Sequence, residues 1–463
     1  MITSLDLGYL LVGAFSIVLI ATSNIIRDKL YLNEALLAVV FGIIIGPYCL
    51  NLVNVDMWDI QKVSITTQVT RIVIAIQVMI TGAVTLPRKF VYNNYKSMLI
   101  MLIPVMLGMW FISGSLVYFM IPYLDFIQSL LIASCFTPTD PVLSSSIVQG
   151  YFAEKNVRRE IRDLIAAESA ANDGLGYPFL FIAIYWMQMS VGDAFRSWVV
   201  HIMLQQIALS IILGIIIGCG ARISIKWCFA RSMVELEALH LYPLMISFVL
   251  MGLLTWIKSD DLLACFMAGC ALSWDEWFQD ETASMGSFLH VLDSLLNIGV
   301  FIYIGVTMPF SLFVDLSIWR LIVLAMLVLF FRRIPVVLGL YKTVPLINGW
   351  REALFTGWFG PIGVGAIFYY TVADANVSSS NMTEDGKPIT STLAAVVYFV
   401  VLSSVIVHGL SIPIITTSQY IYRRILLDMP LSPDVEKSTS SKTAFSFTRT
   451  TTGTSEATTA VDN

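Results

Sequence analysis

The sequence predicts an all-α polytopic membrane protein of about 13 transmembrane helices, built as inverted repeats with two broken crossing helices, in spans five and twelve. Three observations carry that prediction. The 463 residues are 57% hydrophobic and only 13% charged, with a mean hydropathy of +0.79, whereas soluble domains are about half apolar and a quarter charged. Apolar runs of membrane length recur along the whole chain. Two of those runs are interrupted by Pro, Gly or an acid, where a continuous helix would cost less.

Runs of the roughly 17–25 residues needed to cross a bilayer fall near 7–24, 34–53, 68–86, 97–121, 126–149, 161–188, 197–220, 239–257, 261–273, 287–309, 319–341, 350–373 and 392–418. The opening "MITSLDLGYLLVG" lacks a basic segment before its apolar run, so the first run is expected to remain as a helix. Lys and Arg collect in cytoplasmic loops. Here the odd-numbered loops hold Arg27 and Lys29; Arg88, Lys89 and Lys96; Lys155, Arg158 and Arg159; Arg222, Lys226 and Arg231; and Lys342. Even-numbered loops hold mainly Lys62, Arg196, Lys258 and Lys387. That asymmetry places the N-terminus outside and the C-terminus, with Arg423 and Arg424, inside. Loop twelve then faces outward with its sequons at Asn376 and Asn381.

The membrane domain is expected over 1–425 and a disordered Ser/Thr-rich cytoplasmic tail over 426–463. From Ser438 onward 14 of 26 residues are Ser or Thr, a composition that cannot bury enough apolar surface to fold. The net charge of −5 comes without a basic stripe, which excludes nucleic acid as a partner. The six cysteines form no CxxC pair and read as small packing residues, not disulfides or a zinc site.

The interrupted spans point to an internal repeat. Span five reads "LIASCFTPTDPVLSSS" and span twelve "LFTGWFGPIGVGAIF"; span two carries "NEALLAVVFG" and span nine "SDDLLACFMAG". Both matches are offset by seven spans, an odd number, so the copies lie in the membrane with opposite polarity. Inverted repeats with helices broken near the midplane are the pattern of secondary transporters. Pro138 and Pro141 prevent regular helix around Thr139 and Asp140. Such backbone survives at membrane depth only when buried in protein or lining a water-filled cavity. Its loosened carbonyls can ligate a cation, and its half-helix ends call for compensating charge.

Span six contains "LIAAESAANDGLGYPFLF". Residues four apart share a helix face. Ser169 and Asp173 therefore offer a hydroxyl and a carboxylate suited to a small hard cation, and Glu168 and Asn172 offer a hydrogen-bonding structural pair. A charged Asp at mid-membrane costs several kcal/mol unless paired, hydrated or protonated. It therefore prefers to hold a proton or a metal ion, and competition for one site is the simplest route to exchange. Oxygen ligands favour Na⁺, Li⁺ or K⁺ over softer metals.

In span eleven, "LFFRRIPVVLGL" places Arg332 and Arg333 inside an apolar run, where either is expected to compensate Glu168 or a broken-helix end and Arg333 to lie in the interior. Asp260 and Asp261 stand at the start of span nine; they either attract cations at a mouth or cap the helix. The stretch "WDEWFQDE" reads as a solvated loop. His408, well inside span thirteen, reads as a proton relay or pH sensor or as a hydrogen-bonded packing residue.

Taken in order, "TPTDPV", "AESAANDG", "FRRIPVV" and "GWFGPIGVGAIF" resemble the fungal plasma-membrane Na⁺/H⁺ antiporters of the cation–proton antiporter superfamily, over about residues 5–425. The resemblance implies a homodimer, with a dimer domain and a mobile six-span core domain working by elevator-type alternating access. It implies a Na⁺ site at Asp173, Asp140, Ser169 and the Thr139 backbone, supported by Glu168, Asn172 and Arg333. Asn172 before Asp173 is the pattern associated with electroneutral exchange. The implied activity is Na⁺ or Li⁺ (and K⁺) exchange for H⁺ at the plasma membrane, giving salt tolerance, with no cofactor beyond the transported ions. Two departures stand out: Trp358 occupies a position where related sequences often carry His, and the tail is short for the group. An intramembrane aspartyl protease would need a GxGD arrangement and a PAL, and the chain has neither. A cation channel is disfavoured by the inverted repeat.

Overall fold

The computed structural model describes residues 4–428 except 24, 27–29, 31, 56, 57, 59–61, 142, 145–156, 283–286, 378–382, 384, 385 and 387. Its main helices, in order, are α1 (Ser4–Ala21), α2 (Glu34–Ile45), α3 (Lys62–Thr85), α4 (Tyr95–Met120), α5 (Phe126–Cys135), α6 (Arg159–Asn172), α7 (Tyr177–Gln188) and α8 (Val191–Ala230). After them come α9 (Leu236–Trp256), α10 (Asp261–Leu272), α11 (Ser287–Val306), α12 (Ile318–Phe331), α13 (Ile334–Leu340), α14 (Trp350–Trp358), α15 (Val364–Asn376) and α16 (Ile389–Asp428). Every apolar stretch picked out in the sequence contains helix, and the fold is all-α.

The count of spans is a different matter. Among the described residues six helices are long and apolar enough to cross a membrane, or seven if a pair bent by 54° at Thr307–Pro309 is one span. Four more apolar helices run only 10–17 residues. Several expected spans are shorter or broken because the sequence interrupts them. The stretch expected as one helix over 161–188 is α6 and α7 separated by a turn at 173–176. Gly174 and Gly176 weaken the helix there, and Pro178, which lacks a donor, sits in the first turn of α7. The stretch 319–341 is likewise parted at Arg332–Arg333, with Pro335 opening α13.

Met1–Ile412 forms one compact unit, and Pro413–Asn463 is separated as a second. The expected tail lies outside the described residues beyond Asp428, as does Asn381; Asn376 ends α15. Within the first unit, Ile74, Met79, Leu131, Phe136, Ala167, Val364 and Tyr369 are buried, whereas Leu10, Ile17, Phe119, Ile216, Ile223 and Ile322 are exposed. An apolar exterior on an apolar bundle is the surface that lipid requires. Helix starts are fixed locally. Asn33 accepts the Ala35 N–H at α2, and Asp125 and Gln128 form a reciprocal capping box at α5.

What positions the site is the pair of interruptions in spans five and twelve. Helix α5 stops at Cys135 and helix resumes at Pro141; α14 stops at Trp358 and α15 begins at Val364. The two extended pieces meet, with Asp140 N–H donating to the Pro361 carbonyl at 2.8 Å. The broken segments therefore cross.

Candidate functional site

Asp140 organises the crossing. Its Oδ2 accepts the Leu143 N–H at 2.8 Å, and its Oδ1 accepts the Val364 N–H at 2.7 Å. One carboxylate thus caps the helix starts of both broken spans, where the backbone dipoles carry positive charge. The opposite ends receive a cation. Arg332 Nη1 donates to the Phe136 carbonyl and, at 3.4 Å, to the Thr137 carbonyl, while Nη2 donates to the Gly360 carbonyl. A buried guanidinium thus sits on the carbonyl ends of both first halves. Crossing, cap and counter-cap together balance four half-helix ends with two side chains.

Around the crossing the hydroxyls interlock. Thr139 Oγ1 lies 2.9 Å from Ser169 Oγ, and Ser169 Oγ lies 3.1 Å from Ser144 Oγ. Asn172 accepts the Thr139 N–H at 3.2 Å and donates to Thr139 Oγ1 at 2.9 Å. This corrects one expectation: Asn172 is not paired with Glu168 but fastens α6 to the break in span five. Glu168 instead takes a bidentate pair from Arg333, at 2.5 and 2.8 Å, and Arg333 Nε donates to the Thr356 carbonyl at 3.0 Å. The break at 332–333 turns the two arginines to different tasks, one on the crossing and one on α6.

Asp173 is the exception to this satisfaction. It is fully buried, and neither carboxylate oxygen has a hydrogen-bond partner among the described residues. Its backbone is held firmly: Tyr369 donates to the Asp173 carbonyl, and Gly176 N–H donates back to the Tyr369 hydroxyl at 3.1 Å. A Cβ on Gly365 would lie 2.5 Å from Asp173 Oδ1, and one on Gly363 would lie 2.5 Å from the Asp140 carboxyl carbon. Both carboxylates therefore lie against the first turn of α15, two residues apart, and glycine is what lets them approach. A buried acid without donors is costly, so this pocket calls for a proton or a cation.

Asp260 and Asp261 are not at an open mouth. They are 1% and 4% exposed. Asp260 caps α10 through the Leu262 N–H at 3.0 Å, and its Oδ2 is buried without a hydrogen-bond partner among the described residues. That oxygen lies 2.7 Å from where a Gly174 Cβ would stand, so Asp260 borders the turn that follows Asp173. Asp261 pairs with Arg71 at 2.8 Å. His408 packs at the end of α14. Its Nε2 is 3.1 Å from the Trp358 carbonyl and its Nδ1 is 3.0 Å from the Ser404 carbonyl and 3.2 Å from Ser404 Oγ. The expected solvated acidic loop is tied down: Asp275 meets Lys226 at 2.5 Å and Glu276 meets Arg88 at 2.8 Å. Tyr369 and Ser144 escaped the sequence reading. A phenol inside "GAIFYYTVADA" is the one signal that marks Tyr369, since buried tyrosine hydroxyls seek partners.

Broken helices crossing inside an all-helical bundle, beside an unpartnered buried acid, define the architecture of the inverted-repeat membrane transporters. The family model for the sodium/hydrogen exchanger, transmembrane, matches residues 14–418, and the chain belongs to that family. It is 41% identical over 423 residues to a probable Na⁺/H⁺ antiporter of Schizosaccharomyces pombe, covering 88% of this chain and 55% of the relative. It is 35% identical to Na⁺/H⁺ antiporter 2 of Zygosaccharomyces rouxii, covering 93% and 55%. A Na⁺/H⁺ antiporter of Schizosaccharomyces pombe is 34% identical, with 92% and 94% covered. The chain thus spans about half the length of the first two of these relatives. Among solved structures it resembles the sodium proton antiporter MjNhaP1 of Methanocaldococcus jannaschii, with a TM-score of 0.67 at 19% identity over 93% of this chain and 100% of that one. A second MjNhaP1 structure, at pH 8, gives 0.63 at 18% identity, covering 87% and 99%.

Proposed function

We propose that this chain exchanges cytoplasmic Na⁺, Li⁺ and K⁺ for external H⁺ by alternating access, with Asp173 as the group that holds either a proton or the cation. The carrying observation is the Asp173 carboxylate, fully buried, with neither oxygen partnered among the described residues. An ionised Asp at mid-membrane costs about 2.5–3.5 kcal/mol or more. A proton removes that cost, and so does an alkali cation; the two together are redundant. Ser169 and Thr139 bring two hydroxyl oxygens within 2.9 Å of each other at the crossing. Asp140 holds the crossing and, like Asp173, lies against the first turn of α15. Glu168, Asn172 and Arg333 keep α6 and span five in register.

The unit works as a homodimer, with six of its spans as the moving core and the remainder as the dimer domain. It resides in the plasma membrane with its N-terminus outside and C-terminus inside, and confers salt tolerance. Membership of the exchanger family and the names of its fungal relatives support this reading. The same membership argues against the protease. The test is reconstitution of the chain in vesicles containing an interior pH dye, with each alkali cation added in turn. Na⁺ should drive interior pH change in the parent and none in Asp173→Asn at equal incorporation; normal exchange by that variant would remove Asp173 from the site.

A further inference from the structure

Away from the crossing, a cavity of about 390 Å³ opens between the ends of α3, α4 and α10 and the flank of α8. Ile215, Met267 and Cys270 give it apolar walls, and Lys89, Arg222 and Trp274 line it as well. Tyr92 and Tyr95, also in its lining, are 68% and 53% exposed, so aromatic rings stand at the surface of this end of the bundle. Exposed Tyr and Trp beside Lys and Arg mark the level of lipid headgroups.

The charges here do not cancel. Arg88 is matched by Glu276 at 2.8 Å and Lys226 by Asp275 at 2.5 Å. Burial acts to raise the Asp275 carboxyl, but the hydrogen bond and charge of Lys226, with the charge of Arg222, hold it below its usual range. Arg222 reaches that same carboxylate only at 4.0 Å through Nε, and its Nη1 is buried with no partner among the described residues. Lys89 has no acidic partner among the described residues; it lies 5.2 Å from the Trp274 ring centroid. Its backbone is left-handed, φ 53° and ψ 17°, a conformation that costs a non-glycine residue about 1–2 kcal/mol. That strain is sustained at a residue lining the cavity.

An apolar cavity with one cation lacking an acidic partner, a second only loosely paired, and an aromatic surround is complementary to an acyl chain that carries an anionic head. We propose that this cavity binds one anionic phospholipid of the cytoplasmic leaflet, with the phosphate held by Lys89 and Arg222 and an acyl chain laid along Ile215, Met267 and Cys270. The leaflet rests on the orientation proposed above; the site itself does not.

The test is native mass spectrometry of the 463-residue chain in detergent, titrated with phosphatidylserine or with phosphatidylcholine of the same acyl chains. The parent should retain one phosphatidylserine in preference to phosphatidylcholine. Lys89→Ala/Arg222→Ala should weaken that retention about 30-fold, from the usual worth of two cationic side chains at an anionic surface. Ile215→Trp, which fills the cavity without altering charge, should lose it as well. Both variants are checked for folding by Na⁺-driven exchange in phosphatidylcholine vesicles. Equal retention of the two lipids by the parent would overturn the proposal, as would unchanged retention by either variant. Competition by glycerophosphoserine at the concentrations that saturate with phosphatidylserine would replace the lipid with a soluble anion. Labelling of Lys89→Cys on intact cells by an impermeant maleimide, beyond that of the parent with its exposed Cys49, would refute the leaflet alone, and so separates a failed orientation from a failed site.

Discussion

Gly365→Ala tests the closest approach in the site. The added methyl would stand 2.5 Å from Asp173 Oδ1 and 3.3 Å from its carboxyl carbon. Carbon and oxygen in contact ordinarily lie about 3.3–3.6 Å apart, so relief requires a shift on the order of 1 Å. The backbone cannot supply it easily, because Tyr369 holds the Asp173 carbonyl and the Gly176 N–H together. The carboxylate must therefore turn away from the α15 start. Misplacement by 1 Å at a reacting centre costs on the order of 100-fold, and that is the loss expected in Na⁺-driven exchange. Folding should survive, since alanine is the better helix former by about 1 kcal/mol. Gly299→Ala is the control, because, its own helix backbone aside, no described atom lies within 4 Å of its added methyl. The assay is initial rate against Na⁺ concentration in vesicles with an interior pH dye. Parental rate and apparent affinity in Gly365→Ala would refute the placement of Asp173 against α15.

Other perturbations separate scaffold from site. Glu168→Gln leaves Arg333 buried without its bidentate partner and should cost about 3–5 kcal/mol, seen as a lower melting temperature in detergent; Glu168→Gln/Arg333→Gln should recover part of that loss. Asp140→Asn turns an amide NH₂ toward one of the two N–H groups it now accepts, at Leu143 or Val364. It should destabilise by about 1–3 kcal/mol and weaken apparent Na⁺ affinity. Unchanged melting would remove the double cap from the account.

Much of the fold was legible because membrane length and apolar composition are properties of a single stretch. So were the interruptions in spans five and twelve, since Pro138, Pro141, Gly360 and Gly363 declare themselves locally. The turn at 173–176 was readable in principle from Gly174, Gly176 and Pro178, but the apolar run around it reads as one span. What could not be read is who meets whom. Asp140 contacts Val364, 224 residues away, and Arg332 reaches Phe136, 196 residues away. Helical spacing placed Asn172 beside Glu168, yet both found better partners on other spans. The four-residue rule describes one helix, and these groups answer to three.

The central claim is that Asp173 gives up a proton when it takes an alkali cation. Calorimetric titration of the purified protein with NaCl, in buffers of differing ionisation enthalpy, measures the protons released on binding. Near neutral pH, release should approach about one proton per Na⁺, and affinity should weaken up to about tenfold per pH unit as acid fills the site. Asp173→Asn should release none. Sodium binding of equal strength at every pH, with no proton leaving, would contradict the account.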